Sequence, residues 1–182
     1  MGAFKRTAAS LPGQAALEGG ESRKGFRGIG LMTVGHFIDD IYPGFLPPLL
    51  PVFIDRFGLS LALAGVLGTV LSLSTSVSQF GFGLIADRVG RRAFVIAGPL
   101  MACVFLSLAP LSTSYVHLVV LLALGGIGVA AFHPSAVSLA AAYATRRKSL
   151  AVSAFSAAGT VGFATGPLVI LWVVMTFGIE RS

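Results

Sequence analysis

The sequence predicts an all-α, polytopic membrane protein with about five spanning helices. Three observations lead there. Of 182 residues, 55% are hydrophobic and only 11% are charged, against about 25% charged in ordinary soluble domains, and the mean hydropathy is +0.88. The apolar residues gather into runs long enough to cross a bilayer, for which about 20 residues suffice. The bases collect at the ends of those runs. The net charge of +6 therefore reads as membrane topology, not as a nucleic-acid footprint.

Residues 1–25 carry Lys5, Arg6, Glu18, Glu21, Arg23 and Lys24 among scattered Gly and Pro. This composition predicts a disordered cytoplasmic tail, and no continuous apolar core follows Lys5-Arg6 as a signal peptide requires. A helix bundle is expected over 26–178. The first span, 26–53, holds Asp39 and Asp40 near its middle and Pro43, Pro47, Pro48 and Pro51 in its second half. The second, 61–86, follows Ser60, a good N-cap, and carries a polar row (Ser72, Ser74, Thr75, Ser76, Ser78, Gln79) suited to helix contacts or a wet cavity. The third, 93–111, is poor in polar groups and is the best suited to face lipid. The fourth, 115–143, contains Phe132-His133-Pro134, and the fifth, 150–177, ends before a short stretch, 179–182, read as a truncated end.

Charge sets the expected orientation. Lys5, Arg6, Arg23, Lys24, Arg27, Arg88, Arg91, Arg92, Arg146, Arg147 and Lys148 fall on one side of the alternating spans, and only Arg56 and Arg181 on the other. The positive-inside rule places the N-terminus in the cytoplasm of a multi-pass protein of the inner (plasma) membrane. Five is an odd count for a fold built of repeats, so a C-terminal half, or another chain, is expected as a missing partner.

Asp39 and Asp40 are the first candidates for chemistry. A carboxylate at the bilayer centre costs roughly 2.5–3.5 kcal/mol even on the lenient insertion scale, so such groups face protein or water. Neighbouring helix positions diverge by about 100°, so the two acids point apart, whereas His36 and Asp40, four residues apart, share a face. That face suits proton exchange or substrate contact at Asp40 with His36; the alternative is a hydrogen-bonded structural acid near the interface. His133 precedes Pro134, which frees an upstream carbonyl and bends the helix. A substrate or proton contact and a plain kink with a satisfied histidine are equally compatible with that. In the fifth span Ala154, Ala158, Gly162 and Gly166 recur every fourth residue before Pro167, a flat ridge for close helix approach and a place to hinge.

His36, His117 and His133 lack metal-ligand spacing, so neither metal nor cofactor is assigned. The single cysteine, Cys103, reads as an inert buried thiol. No G-x-S-x-G, H-E-x-x-H or G-x-x-x-x-G-K-[ST] string is present, which argues against an enzyme.

Between the second and third spans stands Gly83-Leu-Ile-Ala-Asp87-Arg88-Val-Gly90-Arg91-Arg92. Gly83 suits close backbone approach, Asp87 can accept from an arginine or from helix N-terminal amides, and Gly90 permits a sharp turn. Arg88, Arg91 and Arg92 suit an anionic membrane surface. The string resembles the loop motif between the second and third helices of major facilitator superfamily transporters, and the likeness extends over about residues 26–178. Gly162-Phe-Ala-Thr-Gly166-Pro167 resembles part of a motif of drug–proton antiporters, without the doubled glycine that usually follows. Gly35-His36-Phe37-Ile-Asp39-Asp40-Ile-Tyr42 and Ala131-Phe132-His133-Pro134 resemble the fosmidomycin resistance branch, in which Asp40 would match the first-helix acid. The resemblance implies most of the N-terminal half of a twelve-helix fold. It also implies efflux of a small-molecule substrate coupled to protons, through a cavity lined by the first and fourth helices. A non-transporting membrane scaffold, binding partners through the small-residue ridge, is the competing reading.

Overall fold

In a computed structural model, the protein is described over residues 12–144 and 148–178, with side chains from residue 23 onward. Six α-helices follow in order: α1 (Pro12–Ile41), α2 (Leu46–Phe57), α3 (Leu61–Val89), α4 (Arg91–Ser107), α5 (Tyr115–Tyr143) and α6 (Lys148–Phe177). Among these residues five helical segments are long and apolar enough to cross a membrane: Arg23–Phe57, Leu61–Val89, Arg91–Leu111, Tyr115–Tyr143 and Lys148–Phe177. The helix count and class match the sequence expectation.

Two boundaries differ from it. Helix α1 begins at Pro12, inside the stretch expected to be a tail; proline is tolerated in the first helical turn because its missing N–H would have had no partner there. Residues 1–11 lie outside the described residues, as do 145–147 and the expected truncated end, 179–182. The first span is also broken. Helix α1 stops at Ile41, a 3-10 turn occupies Pro43–Phe45, and α2 resumes at Leu46. Pro43 has no N–H to give and its ring crowds the carbonyl one turn earlier, which weakens the helix at the point where it breaks. Further along, Ser60 accepts from the Leu63 amide at 3.2 Å, the cap the sequence called for. Ser114 does the same for α5 through His117 at 3.1 Å.

Helix α5 is the centre of the bundle. It is apolar all round, and such a helix is stable only when surrounded. Leu118, Leu122, Val129, Ala130, Phe132 and Ala136 are almost wholly buried. Its neighbours are α4, α3 and α1, with α6 closing over α1. Helix α4 packs Gly98, Ala102 and Leu106 inward and leaves Ile96, Leu100 and Val104 exposed. It is not the most exposed span, since α3 and α6 bury a smaller share of their surfaces.

Helix α6 is held against α1 at backbone contact. A methyl placed on Gly162 would strike the Phe37 carbonyl, and one on Gly166 the Ile41 carbonyl and the Gly44 backbone. Lipid tails are as apolar as leucine, so helices gain little from the hydrophobic effect and depend on such close van der Waals packing. The buried row on α6 is Ala151, Phe155, Gly159, Gly162, Gly166 and Ile170. The expected ridge is therefore partly displaced: Ala154 is exposed and Ala158 only half-buried. Strict four-residue spacing drifts about 40° per step around a helix of 3.6 residues per turn. Steps that mix three and four stay on one face. The glycine face is already occupied by α1, so it is not a free docking surface.

Candidate functional site

The site is assembled where α1 and α5 cross, beside α6. His36 and Asp40 stand one turn apart on α1, with His36 Nε2 3.2 Å from Asp40 Oδ2. From α5, His133 Nε2 lies 3.0 Å from His36 Nε2 and 3.1 Å from Asp40 Oδ1. His36 is fixed from behind. Its ring stacks on Phe155 of α6 with centroids 4.0 Å apart, and its Nδ1 is 2.7 Å from the Phe155 carbonyl oxygen. A carbonyl only accepts, so Nδ1 carries the hydrogen and Nε2 of neutral His36 presents a lone pair.

That assignment leaves the cluster short of positive charge. His36 Nε2 and both Asp40 oxygens are acceptors, and His133 Nε2–H can supply only one hydrogen between them. A second proton or a cation is needed where His36 meets Asp40. His36 is buried, His133 and Asp40 are half-buried at 20% and 18% exposed, and all three line a cavity of about 570 Å³. This volume is in the range of small-molecule pockets. Ser72, Thr75 and Ser76 of α3 and Ser156 and Thr160 of α6 give the cavity a polar lining, with Pro43 and Pro47 at the break between α1 and α2. Part of the polar row on α3 thus faces a cavity. Ser74 instead bonds back to the Val70 carbonyl at 2.5 Å.

Asp39 goes elsewhere. It is fully buried, does not line the cavity, and neither carboxylate oxygen has a hydrogen-bond partner among the described residues. The two adjacent acids therefore do diverge. Pro134 sits inside α5, which runs as one helix from Tyr115 to Tyr143. Pro167 lies inside α6, against the Gly44 turn.

At the junction of α3 and α4, Arg91 Nη2 donates to Asp87 Oδ1 at 2.7 Å. Gly90 adopts φ 105°, which makes the turn available to glycine and strained for other residues. Arg88 and Arg92 are exposed. Gly83 is a correction. It lies within α3, short of the helix end at Val89, and a methyl there would meet Pro134 at an ordinary 3.9 Å. No close approach depends on it.

Two parts of the site escaped the sequence reading. One is the Phe155 carbonyl. The other is Gly159, where a methyl would press on the His36 ring and the Asp40 carboxylate. The available signal was the mixed spacing of Phe155, Gly159, Gly162 and Gly166, which a fixed every-fourth pattern overlooks.

The family model described as Major Facilitator Superfamily matches residues 32–180. The chain belongs to the Major Facilitator Superfamily. Three relatives illustrate its range. The fosmidomycin resistance protein of Escherichia coli is 24% identical over 90% of this chain and 40% of its own length. A multi-drug resistance efflux pump of Streptococcus pneumoniae is 30% identical over 80% of this chain and 38% of its own. The 4-hydroxybenzoate transporter of Pseudomonas aeruginosa is 27% identical over 78% and 32%. The chain thus spans about two fifths or less of these relatives' lengths. Its helices fit the N-terminal half of the superfamily fold.

Proposed function

We propose that this chain is most of the N-terminal half of a transporter that exports a small molecule across the inner (plasma) membrane in exchange for protons. The N-terminus is cytoplasmic. A second half, on the same chain or another, is its obligatory partner, because alternating access needs two halves rocking about a midplane site.

One observation carries the reading. Within spanning helices of a Major Facilitator chain, an acid and two imidazoles meet at the wall of a polar cavity. Ionisable groups inside a membrane mark ion or substrate paths. The cluster's shortage of hydrogens supports proton loading there, and a bound proton that leaves can make room for a substrate group. Relatives named for efflux and for resistance support the outward direction. The basic α3–α4 junction supports the orientation.

The test is export from energised vesicles carrying the transporter assembled from both halves. Asp40→Asn is expected to abolish proton-driven export while leaving the protein folded and inserted. Undiminished export by that variant would remove Asp40 from the coupling mechanism. Attaching a membrane-impermeant label to a cysteine introduced in the tail checks orientation: labelling only after the membrane is opened from the cytoplasmic side is expected.

A further inference from the structure

We propose that His36, Asp40 and His133 form a three-ligand site for a divalent d-block cation of the zinc class, with an open coordination position toward the cavity. The proposal goes beyond transport, because it stands on three side chains and holds even in a chain that moves nothing.

Geometry is the first argument. The ligating atoms His36 Nε2, His133 Nε2 and the Asp40 oxygens are separated by 3.0, 3.1 and 3.2 Å. Zinc binds imidazole nitrogen and carboxylate oxygen at roughly 2.0–2.1 Å, so tetrahedral ligands stand about 3.3–3.4 Å apart. The 3.1 and 3.2 Å contacts fall on different oxygens of Asp40. With one ligating atom taken from each residue the three lie within 4.8 Å of one another, so the carboxylate would turn to present one oxygen or ligate through both. The rings meet edge-on at 83° with centroids 4.8 Å apart, so the two nitrogens converge and do not stack.

Chemistry is the second. Two imidazoles and one carboxylate favour zinc, cobalt or nickel over magnesium or calcium, which want oxygen donors. A cation at the centre would also supply the positive charge that the acceptor-rich contact between His36 and Asp40 lacks. Support from behind is the third. A metal-bound histidine commonly donates its other nitrogen to a carbonyl or carboxylate, and His36 Nδ1 already does so to Phe155 at 2.7 Å. His133 has no such support, since its Nδ1 is buried without a partner among the described residues. Loss of one supporting contact typically weakens metal binding about 10–100-fold. With three ligands and a fourth position toward the cavity, the site suits an ion that exchanges, not a structural one.

The test uses the 182-residue chain without a polyhistidine tag, purified in detergent, with Co²⁺ as the visible probe and Zn²⁺ as competitor. One equivalent of Co²⁺ is expected to give the intense visible d–d bands of a four-coordinate ion, bleached by one equivalent of Zn²⁺. His36→Ala and His133→Ala are each expected to weaken binding by at least about 100-fold, more than loss of a supporting contact does. His117→Ala, which alters a histidine whose ring bonds only to Thr113 among the described residues, should change nothing. Absence of the bands in wild-type chain whose helicity is intact by circular dichroism overturns the site. So do bands that survive in the double His36→Ala, His133→Ala variant. Binding is read at equilibrium without a gradient, so a lost metal site with intact export refutes this proposal alone. Metal binding with no export refutes the transport reading alone.

Discussion

Two regions of this molecule place an acid four residues from a base on helical backbone, and they do opposite things with it. At the α3–α4 junction, Asp87 and Arg91 pair at 2.7 Å with their side chains 62% and 39% exposed. Water solvates both charges whether or not they touch, and such a pair is worth about 0.3–0.5 kcal/mol. In the middle of α1, His36 and Asp40 pair at 3.2 Å, but α6 lies behind them and His133 arrives from another helix. There the surroundings offer few alternative partners, so each proton or cation in the cluster matters. The four-residue offset is shared, although the first pair spans the Gly90 turn between two helices; burial and a third group from far along the chain set the second pair apart as a site.

The largest expected effect tests what holds the second region together. Gly162→Ala puts a methyl against the Phe37 backbone, which cannot retreat without moving α1. Overpacking of this kind costs about 1–3 kcal/mol or more. A clear fall in the Tm of the detergent-solubilised chain should follow, and an unchanged Tm would mean that α6 does not pack on α1 as described. Gly159→Ala sharpens the contrast. The nearest atoms to its methyl belong to the His36 ring and the Asp40 carboxylate, side chains that can give way only by loosening the His36 contacts with Phe155. Tm should move by less than with Gly162→Ala, whereas Co²⁺ binding and export should both fall by an order of magnitude or more.

Asp39 gives the next test. Removing a buried polar group that has no partner is neutral or stabilising, by about 1–3 kcal/mol at most. Asp39→Leu should hold or raise Tm and leave Co²⁺ binding intact, while Asp40→Asn weakens that binding. Equal losses from the two acids would collapse the distinction between them. The smallest effect is expected at the junction. Asp87→Asn should change stability by no more than about 0.5 kcal/mol, and raising the salt concentration should shrink even that.

Much of the architecture was legible along the chain because its causes are local. Apolar runs of membrane length gave the spans, Ser60 and Gly90 marked a helix start and a turn, and a four-residue offset put His36 with Asp40. The superfamily could be read from an ordered loop string. The break at Pro43 was half-legible: four prolines announced a weak helix, but where the helix would actually stop depended on how the Gly44 turn lodges against Gly166 and Pro167 of α6.

What the sequence alone determined was the number of membrane-length spans, the residues able to ionise, and which neighbours on one helix share a face. Each follows from a repeat of 3.6 residues and from the cost of moving charge out of water. Tertiary structure decided the rest. It sent Asp39 into the packed interior and Asp40 to the cavity, brought His133 to a partner 97 residues away, and chose Gly159 over Ala158 as the face behind them. Helical periodicity fixes angles around one axis. Which of those angles meets another helix is settled only when the backbones pack, because close contact between small residues, and not any local preference, selects the facing side.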